Sequence, residues 1–501
     1  MNATQKLATW ALALQYANLT DPVKDAAVKS IYNWAGCAIG GYHQPAPSIA
    51  LETSSIWNTN SSGSSSILAS NDSILVDPYT AALVNGIASH VDDYDDTHLE
   101  TVIHPAGPIA SALLAISEWQ GPITGTDFLT AFVAGVEAEC KLGISVSPEH
   151  YAIGWHITST TGSIGAAVAV GKLLNLDESQ MRQAIGIAST QVIGMQEFFG
   201  SDTKSFHIGR AAQSGMLAAL LVSNGFTSSE GALEAKYGWT HVASTRENTT
   251  DVFDSLGETW EISKNTFKPF PCGIVIHPTI DACIRLRQDA LDQNLSIADI
   301  SAVDARVNPY VLTLTGKRDP QTGLEAKFSV YHAAAVGLLY GRATPSEFTD
   351  EVVHNDTVMA LRDKVGTTVD DTVPRDQVYL SARFADGTNL TRYVNDTLGS
   401  LTNPMTVEQL RDKFLQQAAI VVGAERAQRA YDAFRGIEGS SDVAGLRLEF
   451  AAGNESESGA GGDGGGAQPA TEGSGGSTML LATPLVWSTL AVMLVSAFLS
   501  T

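Results

Sequence analysis

VYLSARFADGTNLTRYV runs from residue 378 to residue 394. It reads as two strands joined at Asp386-Gly387, a dipeptide suited to a tight hairpin turn. Upstream, ISAVDARVNPYVLTLTG (300–316) alternates in twos, as a half-buried strand does. The first 265 residues read differently. AVKSIYNWAGCAIGG, DPYTAALVNGIASHV, TDFLTAFVAGVEAECKLGISV and GRAAQSGMLAALLVSNGF, among others, place apolar residues at three-to-four spacing. Several begin after Asp, Ser or Thr, or end at Gly, as helix caps require. The change of period near residue 266 decides the fold. A mainly α chain is expected, with a large all-helical domain (1–265 plus 404–440) and a smaller inserted α+β lid domain (266–403). Helical segments are expected at 277–291 and 327–341, and a short helical return at 405–437.

The chain has 501 residues, more than one core usually holds. Thirty Lys and Arg stand against 54 Asp and Glu, a formal charge of −24 that repels a phosphate backbone, so no nucleic-acid partner is expected. An anionic small substrate stays open if its pocket is locally basic. Cys37, Cys140, Cys272 and Cys283 form no CxxC pair and read as buried thiols. No signal peptide is visible at the N-terminus, which reads as an amphipathic first helix. Residues 441–478 read as a linker, Gly/Ser-rich from 458 to 477, and 479–499 is a 21-residue stretch without a charge. That stretch could span a membrane as a tail anchor or serve as a GPI-attachment signal. Ten N-x-S/T sequons lean towards secretion, otherwise the chain reads as cytoplasmic, and the location stays open.

HVDDYDDTHLETVIHP (90–105) crowds acids and histidines into an otherwise small and apolar context. It reads as the end of a helix and the turn after it, with Asp93 and Thr97 sharing a helix face. Its DDxxD spacing would suit Mg²⁺ and a diphosphate, but no second acidic helix accompanies it. Zinc would want HExxH or a paired HxH, which the chain lacks. A solvated acidic loop is the bland alternative, and His104-Pro-Ala-Gly-Pro is an odd choice for one. Four other stretches weigh against it. GWHITSTTGSIGAA places His156 where a small-residue helix opens, whose N–H groups could bind a carboxylate. GSDTKSFHIGRAAQSG holds Lys204, His207 and Arg210. A lysine at a helix start opposes the helix dipole, which suggests that it faces an anion. FKPFPCGIVIHPTIDA holds Lys268, Cys272 and His277, and EAKFSVYHAAAVG holds Lys327, Tyr331 and His332. In an acidic chain, His104, His156, Lys204, Lys268 and His277 at Gly- or Pro-marked helix ends are how a basic pocket for a polycarboxylate would be built.

At these residues the chain resembles the MmgE/PrpD family, which includes cis-aconitate decarboxylase and 2-methylcitrate dehydratase. The matches run in order: Asp93-Tyr-Asp-Asp-Thr97 with His104-Pro; Gly154-Trp-His156; Lys204 with His207-x-Gly-Arg-Ala-Ala; and Lys268-Pro-Phe-Pro-Cys272 with His277. The resemblance covers roughly residues 5–440. It implies a large helical domain with a smaller α+β lid, a homodimer, and neither metal nor organic cofactor. It places Asp93, Thr97, His104, His156, Lys204 and His277 in the active site, with His207, Lys268 and Cys272 as further substrate-binding residues. Asp-Tyr-Asp-Asp-Thr, GWH and FPCGIVIH stand nearer the decarboxylase branch. That implies decarboxylation of cis-aconitate or an alkyl-substituted relative. An alkylcitrate dehydratase, and a non-catalytic binding module, are the alternatives.

Both reactions need two or three carboxylates held while negative charge develops beside one of them, and one group that moves a proton. Lys204 and His156 are expected to bind carboxylates. His104 and His277 are the proton-transfer candidates, with Asp93 orienting one of them.

Overall fold

The computed structural model describes residues 2–56, 63–69, 74–246 and 248–447. The Gly/Ser-rich stretch and the apolar stretch 479–499, with the membrane and GPI readings that rest on them, lie outside the described residues. Among the described residues no helix is long and apolar enough to cross a membrane.

Small residues set how closely the helices of the first half approach. The main ones are α1 (Asp21–Gly41), α2 (Pro78–Val91), α3 (Ala106–Gln120), α4 (Gly125–Val146), α5 (Ile157–Leu173) and α6 (Asp202–Ser223). Asp77 accepts the Thr80 N–H and so caps α2, while Pro78 fills its first turn, where a missing N–H costs nothing. A Cβ on Gly86 of α2 would stand 2.6 Å from Cα of Gly209 in α6. A Cβ on Gly135 of α4 would stand 2.8 Å from the Gly165 carbonyl oxygen of α5. α2 and α6 run antiparallel through that contact, so His90 at the end of α2 arrives beside Lys204 in the first turn of α6.

Two apolar cores result. The first draws on residues from Ala3 to Ile262 and again from Leu410 to Leu446. A short ladder joins β1 (Asp96–His98) antiparallel to β2 (Asn265–Phe267), with Thr97 opposite Thr266. The second core spans Phe270 to Val394. Here α7 (His277–Asp292) and α8 (Val330–Tyr340) accompany a four-stranded sheet made by β3 (Ile300–Val307), β4 (Val365–Val369), β5 (Val378–Phe384) and β6 (Asn389–Val394). The strand order is β4-β3-β5-β6, with β3 parallel to β4 and antiparallel to β5. Alternate residues of β5 are buried, as its spacing requires. Gly387 turns the hairpin at φ 92, and the Thr388 N–H donates to Asp386 Oδ1 at 2.8 Å. After residue 404 the chain returns to the first core through α9 (Val407–Val422), whose Phe414 packs on Gly36 of α1.

The mainly α fold with a small sheet is as the periodicities imply. The alternation of 300–316 continues as strand only to Val307. Asn308 then accepts the Tyr310 N–H, and Pro309 opens a helix, Pro309–Thr315. An Asn-Pro start overrides a two-residue rhythm because it satisfies the helix's first N–H groups. β1 and β2 are three residues each, too short for any period to show them.

Candidate active site

α2 ends at Val91, so residues 92–95 form a turn rather than a further helical turn. The helix face expected to carry Asp93 and Thr97 therefore does not form. Asp93 adopts φ 50, a left-handed backbone that Asp tolerates, and Thr97 lies on β1. Asp92, Asp93, Asp95 and Asp96 are all at most 4% exposed, which rules out a solvated loop. Each carboxylate has its own partners, so they do not converge as a diphosphate-Mg²⁺ motif would. Asp92 meets Lys327 at 3.3 Å and Gln44 at 2.9 Å. Asp93 Oδ1 lies 3.0 Å from Lys204 Nζ and 2.5 Å from Lys268 Nζ. Asp96 accepts from Asn265 at 2.6 Å and from the first N–H of α3, at Ala106. Lys413 of α9 donates to the Tyr94 carbonyl at 2.6 Å. Four buried lysines from separate parts of the chain thus hold one acidic turn.

A buried relay runs through this turn. Asp95 Oδ2 lies 2.6 Å from His90 Nδ1, and His90 Nε2 lies 2.6 Å from Lys204 Nζ. A carboxylate only accepts and an ammonium only donates. His90 therefore carries its proton on Nδ1 and accepts from Lys204 on Nε2. His104 Nδ1 lies 2.6 Å from the Asp96 carbonyl, which can only accept, so its free ring nitrogen is Nε2. His156 and His207 face one another through their Nδ1 atoms at 3.0 Å, and His156 Nε2 is buried without a hydrogen-bond partner.

Beside this network lies a small cavity of about 40 Å³. Asp93, His104, His156, Lys204 and Lys268 are among its ionisable lining residues, and Val102, Phe199, Ile274, Val275, Leu314 and Phe328 supply much of the apolar lining. Burial sets the protonation states. It would raise Asp93, but Lys204 and Lys268 hold that carboxyl well below its ordinary range. Burial and then Lys268 push His104 down to about 3 and His277 down to about 3. Burial and Lys204 take His156 well below its ordinary value. At neutral pH the wall therefore presents neutral imidazoles beside two ammonium groups. Burial and then the Asp95 charge raise Asp96 to about 7.

His90, Asp95 and His104 bring donor atoms within 4.8 Å of one another, as do His98, Glu100 and Glu261. Their chemistry fits hydrogen bonding better than metal ligation. Both nitrogens of His90 are engaged, and Lys268 lies 3.9 Å from Asp95. Glu261 already pairs with Lys141 at 3.2 Å and Lys264 at 2.8 Å.

Of the residues singled out in the sequence, Asp93, His104, His156, Lys204 and Lys268 share the cavity wall. Thr97, His207, Cys272 and His277 are not among its lining residues. Thr97 stands 3.2 Å from His104 Nδ1, and His207 backs His156. His277, the first residue of α7, turns Nε2 to the Cys272 carbonyl at 3.3 Å and lies edge-on to Phe270. Asp93 hydrogen-bonds to lysines and to no histidine. It is Asp95 that orients one. His90, Asp95 and Lys413 were not foreseen. The available signal for His90 was a histidine in the last turn of an otherwise uncharged helix.

The MmgE/PrpD N-terminal domain matches residues 5–251, and the MmgE/PrpD C-terminal domain matches residues 270–438. A cis-aconitate decarboxylase-like protein of Aspergillus oryzae is 26% identical over 89% of this chain and 96% of its own length. The cis-aconitate decarboxylase of Aspergillus terreus is 28% identical over 74% of this chain and 80% of its own. The 2-methylcitrate dehydratase of Salmonella typhimurium is 22% identical over 58% of this chain and 62% of its own. Two family domains in sequence, matched across both cores, establish that the chain belongs to the MmgE/PrpD family.

Proposed function

We propose that this protein is a lyase that decarboxylates cis-aconitate, or an alkyl-substituted relative of it, without metal or organic cofactor. The observation that carries the reading is the cavity wall, where Lys204 and Lys268 stand beside His104 and a buried, unpartnered His156 Nε2. The longer and stronger likeness to decarboxylases than to a dehydratase supports it.

Loss of CO₂ breaks the bond between the departing carboxylate carbon and its methylene. The electron pair spreads through the adjoining alkene towards a carbon that bears another carboxylate, and that carbon takes a proton. Lys204 and His156 bind the retained carboxylates, and Lys268 adds fixed positive charge where negative charge develops. His104 is the proton donor, with His277 as the second candidate one layer away. The imidazoles are neutral beforehand, so the incoming anion must draw a proton onto one of them. The cavity is smaller than a six-carbon acid, so its wall opens to admit substrate. A homodimer, and membrane attachment through residues 479–499, belong to the same reading. Sedimentation and vesicle partition of the full chain test them.

The test supplies the purified full chain with cis-aconitate, 2-methylcitrate and longer alkylcitrates and weighs the products. One CO₂ per unsaturated acid consumed supports decarboxylation. Loss of water without CO₂ moves the chain to dehydration, and turnover of none of them removes the reading.

A further inference from the structure

We propose that Val102 sets the length of hydrocarbon substituent the substrate can carry. The inference rests on the tricarboxylate reading of the same cavity and concerns its apolar lining residues.

Four non-glycine residues among those described have positive φ: Asp93, Val102, Asn175 and Asn294. Asp and Asn tolerate the left-handed region, because their short polar side chains bond locally. A β-branched residue does not, and Val102 sits there at φ 56. It lies in the tight turn between β1 and His104, where the His98 N–H donates to the Ile103 carbonyl at 2.8 Å and the Thr101 N–H to the His98 carbonyl at 3.2 Å. A glycine would make that turn without strain. The turn thus explains the positive φ but not the valine.

The cavity explains the valine. Val102 lines it, and Leu314, Ile274 and Phe328 are further apolar lining residues. None of the four can answer a carboxylate, so they suit the part of a substrate that carries none. Backbone strain held at a binding wall is retained when the side chain there is needed. Val102 therefore fills space at the cavity wall, and a smaller residue would open room for a longer alkyl group.

Two variants separate the two properties. Val102→Ala and Val102→Gly both remove side-chain volume, but only glycine removes the strain. The full chain of each is assayed on cis-aconitate and on homologues bearing methyl, ethyl and butyl groups. Both variants should shift the kcat/KM ratio towards the longer substituents by about tenfold or more, the scale of one methylene in an apolar pocket. The melting temperature of Val102→Gly should match or exceed that of the natural chain, with Val102→Ala below it. Calorimetric affinities for saturated tricarballylate and its alkyl homologues read the same ratio without turnover. If the natural chain turns over none of the acids while the affinity ratio still moves, the reaction is misassigned and the role of Val102 stands. Folded variants with an unchanged ratio in both assays would overturn it.

Discussion

Lys204 carries three N–H donors. His90 Nε2 takes one at 2.6 Å and Asp93 Oδ1 another at 3.0 Å, which leaves a third for a substrate carboxylate. The ammonium cannot swing away, because Asp95 holds His90 and Asp93 is shared with Lys268. Two ammonium groups face two ionised aspartates here, so an added tricarboxylate lacks full compensation until a histidine is protonated. Binding of tricarballylate at pH 7 should therefore take up protons. Calorimetry in two buffers of different ionisation enthalpy reads this, and zero uptake would contradict a histidine as proton donor. Asp96 gives a pH signature of its own. Its carboxyl is raised to about 7 in the folded chain, so its contribution to stability is full below about 4 and lost as pH rises through 7. Asp96→Asn mimics the protonated form. Its melting temperature relative to the natural chain should rise between pH 5 and pH 8. An equal difference at both pH values would show that Asp96 does not titrate there.

At the scale of elements, the Gly86–Gly209 contact fixes the register of α2 against α6 and hence the meeting of His90 with Lys204. Gly86→Ala places a Cβ against backbone rather than against a yielding side chain. It should lower stability by about 1–3 kcal/mol, the usual cost of overpacking, and reduce kcat as the helices shift. Denaturant unfolding and turnover measured together check this, and an unchanged kcat would free the relay from that contact. The hairpin at Asp386-Gly387 and the helix starts at His156 and His277 were legible because turn and cap chemistry is local. The turn after Val91 was legible as a turn, but the shared helix face read into it was not real. Nothing local announces that Asp93 bends into left-handed backbone. That bend is held by lysines distant in sequence.

At the scale of the whole molecule, the site is assembled from both cores. Asp93, His104, His156 and Lys204 come from the first, Lys268 from the segment that joins them, and Lys327 from the second. The five wall residues could be singled out in the sequence because their motifs are compact and ordered. His90 and Asp95 stood inside the quoted stretch without any local sign that they pair, and Lys413 stood outside every motif, since a buried partner is recognised only by what it touches after folding. The net charge of −24 pointed away from phosphate backbones yet hid four buried lysines around one turn.

The most direct measurement is release of CO₂ from cis-aconitate by the full chain in EDTA, with Lys204→Met alongside. The expected result is CO₂ and dicarboxylate in equal amounts, undiminished by EDTA, with kcat/KM lower by about 10²–10³ in the variant, the scale of losing one preorganised charge donor. CO₂ release that EDTA abolishes, or that Lys204→Met leaves intact, would contradict a cofactor-free site built on Lys204.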